Sequence, residues 1–250
     1  MNVKNWVWHQ TKKFDYQLDS LYYYSRIMRI LEGEIFLTHI FADRNGIAID
    51  IGANYGIWSY HLSKIFKRVE SFEPIKECCD VIRSTHRQNI NVHNEALSSS
   101  PGSMELHIPV VKGGLLLQSA SLGDVEGQFE SRVVPVKTLD NYSVGQVRFI
   151  KIDVEGHEIE VLKGAEQTIR RFKPVMIIEI EQRHLDFPMD DVVALVKSYG
   201  YNAFFLSGRK LHPYSDFSYE LDQLPYLTNL SSHFYVHNFI FLPGDTGRRE

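Results

Sequence analysis

Four short runs of branched and aromatic residues each carry an acid at or near their end: IAIDI (47–51), RVESFEP (68–74), VRFIKIDV (147–154) and PVMIIEIE (174–181). Stretches with helical spacing follow them, at 55–66, 75–88, 158–172 and 190–199. Continuous apolar runs of this length read as strands buried on both faces. Their alternation with helices predicts an α/β fold, a mostly parallel sheet with helices on both sides. A third strand is expected at INVHNEAL (90–97) and the last ones at YNAFFL (201–206) and FYVHNFIFL (234–242). The middle differs. SMELHIP (103–109) and RVVPVKTL (132–139) read as strands, and the Gly- and Ser-containing stretch between them has no period. It predicts a loop, 110–131, able to close over a site. Leu115, Leu116 and Leu117 in it fit a lid or a contact between copies of the chain.

In an open parallel sheet, ligands bind beyond the carboxyl ends of the strands. Here those ends read Asp50-Ile51-Gly52-Ala53-Asn54-Tyr55-Gly56, Glu73-Pro74 and Asp153-Val154-Glu155-Gly156, and the next strand carries Glu179 and Glu181. Gly52 and Gly56 let backbone approach a ligand, and the helix that follows offers free N–H groups. Glu73 lies about 20 residues past Gly52, the spacing at which a carboxylate accepts hydrogen bonds from both ribose hydroxyls. A dinucleotide fingerprint would need glycine where Asn54 and Ile57 stand, so a nicotinamide cofactor fits poorly. S-adenosylmethionine (SAM) has a ribose and no phosphate. An acid at Asp50 suits its ammonium, directly or through water.

The segments AIDIGANYGIWS, VESFEP, NVHNEALSSSPG, SASL, VKTLD, FIKIDVEGHEIEVLKGAE, VMIIEIE and HNFIFLP together resemble the FkbM-type family of SAM-dependent methyltransferases. KIDVEGHE is the most specific of them. The resemblance covers 47–243 and implies a Rossmann-like class I methyltransferase domain with a seven-stranded sheet whose last strand is antiparallel. It also implies O-methylation of a hydroxyl on a sugar, glycan or natural product. By this resemblance Asp50, Gly52, Asn54 and Gly56 line the methionyl end of SAM, with Ala53 and Tyr55 between them also cofactor-binding. Glu73 holds the ribose, Asn94, Glu95 and Ala96 lie beside the adenine, and Asp153 sits where the sulfonium meets the acceptor. The competing readings are a nicotinamide-dependent oxidoreductase and a SAM-binding protein without catalysis.

A sugar hydroxyl is a poor nucleophile, so a general base or a metal is expected. Asp153, His157 and Glu179 are the catalytic candidates, and Glu155, Glu158 and His184 stand near them in the sequence. Glu155 and Glu158 equally suit the start of a helix, and His157 a solvated helix position. Glu179, inside an apolar strand, needs a partner, and Glu181 should share its face. A divalent ion bridging Asp153 and Glu179 is an alternative that no spacing demands. His233 and His237 receive no role. Lys163, Arg170, Arg171 and Lys173 read as a solvated helix face and turn.

With 250 residues, 44% of them hydrophobic, the chain suits one globular domain, 47–243, preceded by a helical segment, 1–46, and followed by a tail, 244–250. The net charge of −4 gives no pull toward nucleic acid or anionic lipid. Cys78 and Cys79 are adjacent and read as small residues on a helix, which fits a reducing compartment. The N-terminus lacks the apolar core of a signal peptide, so the cytoplasm is expected.

Overall fold

The computed structural model describes residues 33–111, 114–123, 127–207, 210–230 and 232–244. Most of the helical segment expected over 1–46 lies outside them, as do 245–250; Gly33–Phe41 is a 3-10 helix. β1 (Ile47–Ile51) runs through the glycine turn into α1 (Ile57–Leu62), and β2 (Arg68–Phe72) into α2 (Lys76–Arg83). The run 90–97 is not one strand. β3 (Ile90–His93) stops at Asn94, whose side-chain amide donates to the carbonyls of Glu73 (3.1 Å) and Pro74 (2.8 Å). This turns the chain off the sheet, and Ala96–Leu97 becomes β4 of a second one. That smaller sheet adds β5 (Gly102–Val111), β6 (Gly114–Leu115) and β7 (Phe129–Lys137), in the order β4-β7-β5-β6.

The chain then returns with β8 (Val147–Ile152), α3 (Glu158–Gly164), α4 (Glu166–Phe172), β9 (Val175–Glu179) and α5 (Met189–Ser198). β10 (Tyr201–Ser207), β11 (Lys210–Pro213), the short α6 (Tyr219–Asp222) and β12 (Asn238–Pro243) complete it. The helix expected over 158–172 breaks at Gly164. A Cβ there would lie 2.0 Å from the Ser98 carbonyl oxygen, so the loop after β4 packs where a larger residue would stand. Asp140 starts the second half, accepting from the Gln167 and Thr168 amides at 2.9 and 2.8 Å.

Among the described residues the main sheet has eight strands, β11-β10-β12-β9-β8-β1-β2-β3. β3, β2, β1, β8 and β9 are parallel, and β12 inserts antiparallel between β9 and β10. Seven of these are the mostly parallel sheet that the resemblance implies, with its antiparallel last strand. β11 is an additional edge strand that hairpins onto β10. Strand alternation sorts the core into two layers. Ile49, Ile150, Ile178 and Phe239 face α3, α4 and α5. Ala48, Phe149, Ile177 and Ile240 face Trp58 and Leu62 of α1 and Ile35 of the 3-10 helix. Each fully buried large side chain contributes about 1.5–3 kcal/mol. Among the described residues no helix is long and apolar enough to cross a membrane.

The segment expected as a loop is largely structured where described. β6 folds back on β5, and Leu117–Ser119 forms a 3-10 turn. His107 and Ser121 exchange backbone hydrogen bonds of 2.8 and 3.0 Å. Leu115, Leu117, Ala120 and Leu122 pack on Ile75, Cys78, Leu106 and Ile108. Leu115 and Leu117 therefore have apolar partners inside the domain.

Candidate active site

A cleft opens between the carboxyl ends of the parallel strands and the small sheet. Gly52, Asn54, Glu73, Asp153, Glu155 and His157 line its polar side. Ile75, Ala96, Leu97, Leu106, Leu117 and Leu122 line its apolar side. Chain segments far apart in sequence thus meet because each ends a strand or faces one.

The glycine turn is built for close packing. Gly52 has φ +75°, and a Cβ on it would lie 1.7 Å from the Asp153 carbonyl oxygen. Gly56 has φ +83°, and its Cβ would meet Ile82 of α2 at 2.6 Å. Both glycines are thus required by protein contacts as well as by the turn. Asn54 is left-handed, with φ +50°. Its amide donates to Glu73 Oε2 (2.7 Å), and the Ile75 amide donates to Glu73 Oε1 (2.8 Å). Burial pushes the Glu73 carboxyl up to about 7 despite these two bonds. Each oxygen keeps a lone pair for a further donor. Behind it, Cys79 Sγ donates to the Glu73 carbonyl at 3.1 Å, and burial pushes its thiol up to about 12. Cys78 and Cys79 are both buried on α2, in keeping with small helix residues.

The remaining cofactor candidates divide. Ala96 lines the cleft. Asp50, Ala53, Tyr55, Gly56, Asn94 and Glu95 are not among its lining residues. Asp50 is 1% exposed beneath the turn and accepts from Ser59 Oγ at 2.5 Å, and Ser59 Oγ also bonds Ser71 Oγ. Burial raises the Asp50 carboxyl to about 6. Asn94 serves the backbone turn described above, and Glu95 accepts from the Tyr142 hydroxyl.

At the β8 end, Asp153 is 29% exposed by side chain. His157 Nε2 lies 2.9 Å from Ser98 Oγ, and burial lowers its pKa, so the ring is neutral near pH 7. Glu158 is 2% exposed. Its Oε1 accepts from the Gly156 amide at 2.9 Å, and its Oε2 has no hydrogen-bond partner among the described residues. Burial raises this carboxyl to about 7, with Asp153 and Glu155 adding to the shift. Glu155 Oε2 stands 2.6 Å from His184 Nε2, an ion-pair contact rather than an aligned hydrogen bond. Burial opposes the His184 charge, but Glu155 outweighs it and the pKa rises. Glu181 lies past the end of β9 and does not pair with Glu179. Arg183 grips it with two bonds of 2.8 Å, and the Tyr235 hydroxyl donates to it. Donor atoms of Glu155, Glu181 and His184 gather within 4.8 Å of one another, but that guanidinium fork already neutralises Glu181.

Glu179 and Asp153 meet through a residue that the sequence reading passed over. Lys151 is fully buried, and its Nζ lies 3.7 Å from Asp153 Oδ2 and 3.8 Å from Glu179 Oε2. Its ammonium stands against both carboxylates, which a bridging ion would otherwise join. A signal was present, namely a lysine in the middle of FIKIDV, where an unpaired charge is costly.

A parallel sheet of order 3-2-1-4-5 continued by an antiparallel pair, with its cleft at the carboxyl ends and an acid after the second strand, defines the class I methyltransferase fold. The Methyltransferase FkbM domain model matches residues 50–203, and the chain belongs to that family. Of solved structures, methyltransferase FkbM from Methylobacillus flagellatus KT is 17% identical with a TM-score of 0.50, covering 79% of this chain and 44% of that one. The chain therefore spans less than half the length of that relative. An rRNA methylase from Streptococcus thermophilus gives 12% identity and a TM-score of 0.48, covering 86% and 99% of the two chains. A Streptococcus mutans protein solved in complex with S-adenosylhomocysteine (SAH) gives 12% and 0.45, covering 85% and 98%. No curated protein matches the sequence significantly. Family membership sets the nicotinamide reading aside.

Proposed function

We propose that the chain is a SAM-dependent O-methyltransferase acting on a hydroxyl of a sugar, glycan or natural-product small molecule, with Asp153 as proton acceptor. One observation carries this reading: Glu73 and Asp153, the ribose-type acceptor and a partly exposed carboxylate, line one cleft across the Gly52 turn. The residues fit SAM. Glu73 has lone pairs for two ribose hydroxyls, Ile75, Ala96 and Leu97 offer an apolar wall to adenine, and Gly52 and Asn54 face the methionyl end. SAM, when bound, supplies an electrophilic methyl and takes back the electron pair of the broken sulfur–carbon bond. The chain's own part is alignment and proton removal. Asp153 accepts the hydroxyl proton while the oxygen's electron pair forms the new bond to carbon. His157, neutral and held by Ser98, and Glu179 are the reserve bases. The acidic net charge favours a small or uncharged acceptor over a polyanion.

The test has two stages. SAM and SAH should raise the thermal midpoint and NAD(P) should not. Radiolabelled methyl from SAM should then appear on a member of a sugar and polyketide library. Stabilisation by NAD(P) and not by SAM would overturn the reading.

A further inference from the structure

Four neighbouring strands carry one polar residue each on the α1 side of the sheet, near the cleft. Asp50 of β1 is paired in register with Lys151 of β8, and Glu179 of β9 with Asn238 of β12. Lys151 Nζ donates to Asn238 Oδ1 at 3.1 Å and to the Ile152 carbonyl at 3.3 Å, and sits 5.4 Å from the Trp58 ring centre. The Asn238 and Ile152 oxygens can only accept, so each takes a proton from the lysine nitrogen, and the two carboxyl groups stand at ion-pair distance from it.

We propose that Lys151 is a positioning residue for proton removal: held by Asn238, its ammonium ties Asp153 and Glu179 together and keeps both ionised at the end of the sheet. This rests on the reading of Asp153 as the base. The surroundings explain the need. Asp50 faces Lys151 from β1, Glu179 from β9, and Glu158 at the start of α3 feels the charge of Asp153. Asp50 and Glu158 are both held toward their neutral forms, with burial the main cause and Asp153 a contributor. Without a cation, Asp153 would join them and could not take a proton. In the transfer, the acceptor O–H bond breaks and its electron pair makes the O–CH3 bond. The proton moves to Asp153, and Lys151 keeps all of its own.

Carboxyl-13C NMR on the full chain, titrated from about pH 4 to about pH 9, reads this directly. Asp153→Asn and Glu179→Gln assign the signals. In Lys151→Met the midpoint of Asp153 or Glu179 should rise by about one pH unit or more. SAH affinity, measured as a separate probe, should change by less than about threefold. A folded Lys151→Met in which neither midpoint moves overturns the proposal. Should that variant fail to fold, the 15N ammonium signal of Lys151 decides. It should move in both Asp153→Asn and Glu179→Gln, and a signal unmoved in either overturns the tie. Failure of SAH to bind the wild-type protein would sink the SAM reading and leave the titration result standing.

Discussion

The two halves of the cleft handle buried acid differently. On the β1–β2 side, Asp50 and Glu73 take their hydrogen bonds from a hydroxyl and from backbone amides, and burial lifts them to about 6 and about 7, although Lys151 across the strand pair draws Asp50 down. On the β8–β9 side, Asp153 and Glu179 face Lys151, and Glu181 is held below the usual carboxylate range by Arg183 against its burial. Neutral donors satisfy a carboxyl without fixing its charge, whereas a buried cation fixes it. The first half suits a ligand that brings its own hydroxyls. The second suits chemistry that needs an ionised base.

The largest expected effect falls on the second half. Asp153→Asn should lower turnover on the true acceptor by roughly 10²–10⁴ and leave SAM affinity within a few-fold. Full turnover would move the base to His157 and remove the contrast between the halves. In the first half, Glu73→Ala should weaken SAM by at least about tenfold, since bonds to a charged group are worth about 1.5–3 kcal/mol each. Calorimetry on folded protein checks this, and unchanged affinity would take Glu73 out of the site.

Protonation sharpens the comparison further. Ribose hydroxyls donate best to ionised Glu73, so SAM affinity should rise with pH through about 7. The change should be roughly tenfold between pH 6 and pH 8 and should vanish in Glu73→Gln. A wild-type affinity flat in pH would mean that Glu73 is ionised throughout. Stability follows with the opposite sign. A carboxyl raised from 4.5 to about 7, as Glu158 is, binds its proton in the folded state while the unfolded chain has lost it. Stability therefore falls as pH rises through that window and is level above it. Glu158→Gln should lose less thermal stability than wild type between pH 5 and pH 8. Equal losses would place Glu158 in a more hydrated setting. The smallest effect concerns the cleft wall. The reciprocally bonded amides of His107 and Ser121 should exchange slowly without ligand, and fast exchange there would restore a mobile lid.

Much of this was legible because strand period and strand ends are local signals. The strands themselves, Glu73 in the cleft and Asp153 beside it follow from where apolar runs stop, whereas the antiparallel last strand came from the family resemblance. The break at Asn94 was not legible, because its cause is a side-chain amide bonding two carbonyls about 20 residues earlier. The loop leucines misled because a satellite core under them forms only when β4, β5 and β7 come together. Asp50 was placed by its neighbours in sequence, and the bond that alternation along β1 gives it to Ser59, beneath the glycine turn, was not legible there. Lys151 needed pairing register, which joins β8 to strands on both sides.

The contact between Gly52 and the Asp153 carbonyl has a consequence for anyone who would re-engineer this domain. Even alanine at position 52 pushes on the peptide that carries Asp153, so a library randomised there will return glycine whatever ligand is used for selection. Diversity belongs on the opposite wall, at Leu106, Leu117, Gln118 and Leu122, where side chains reach the cleft from strands and turns outside the main sheet.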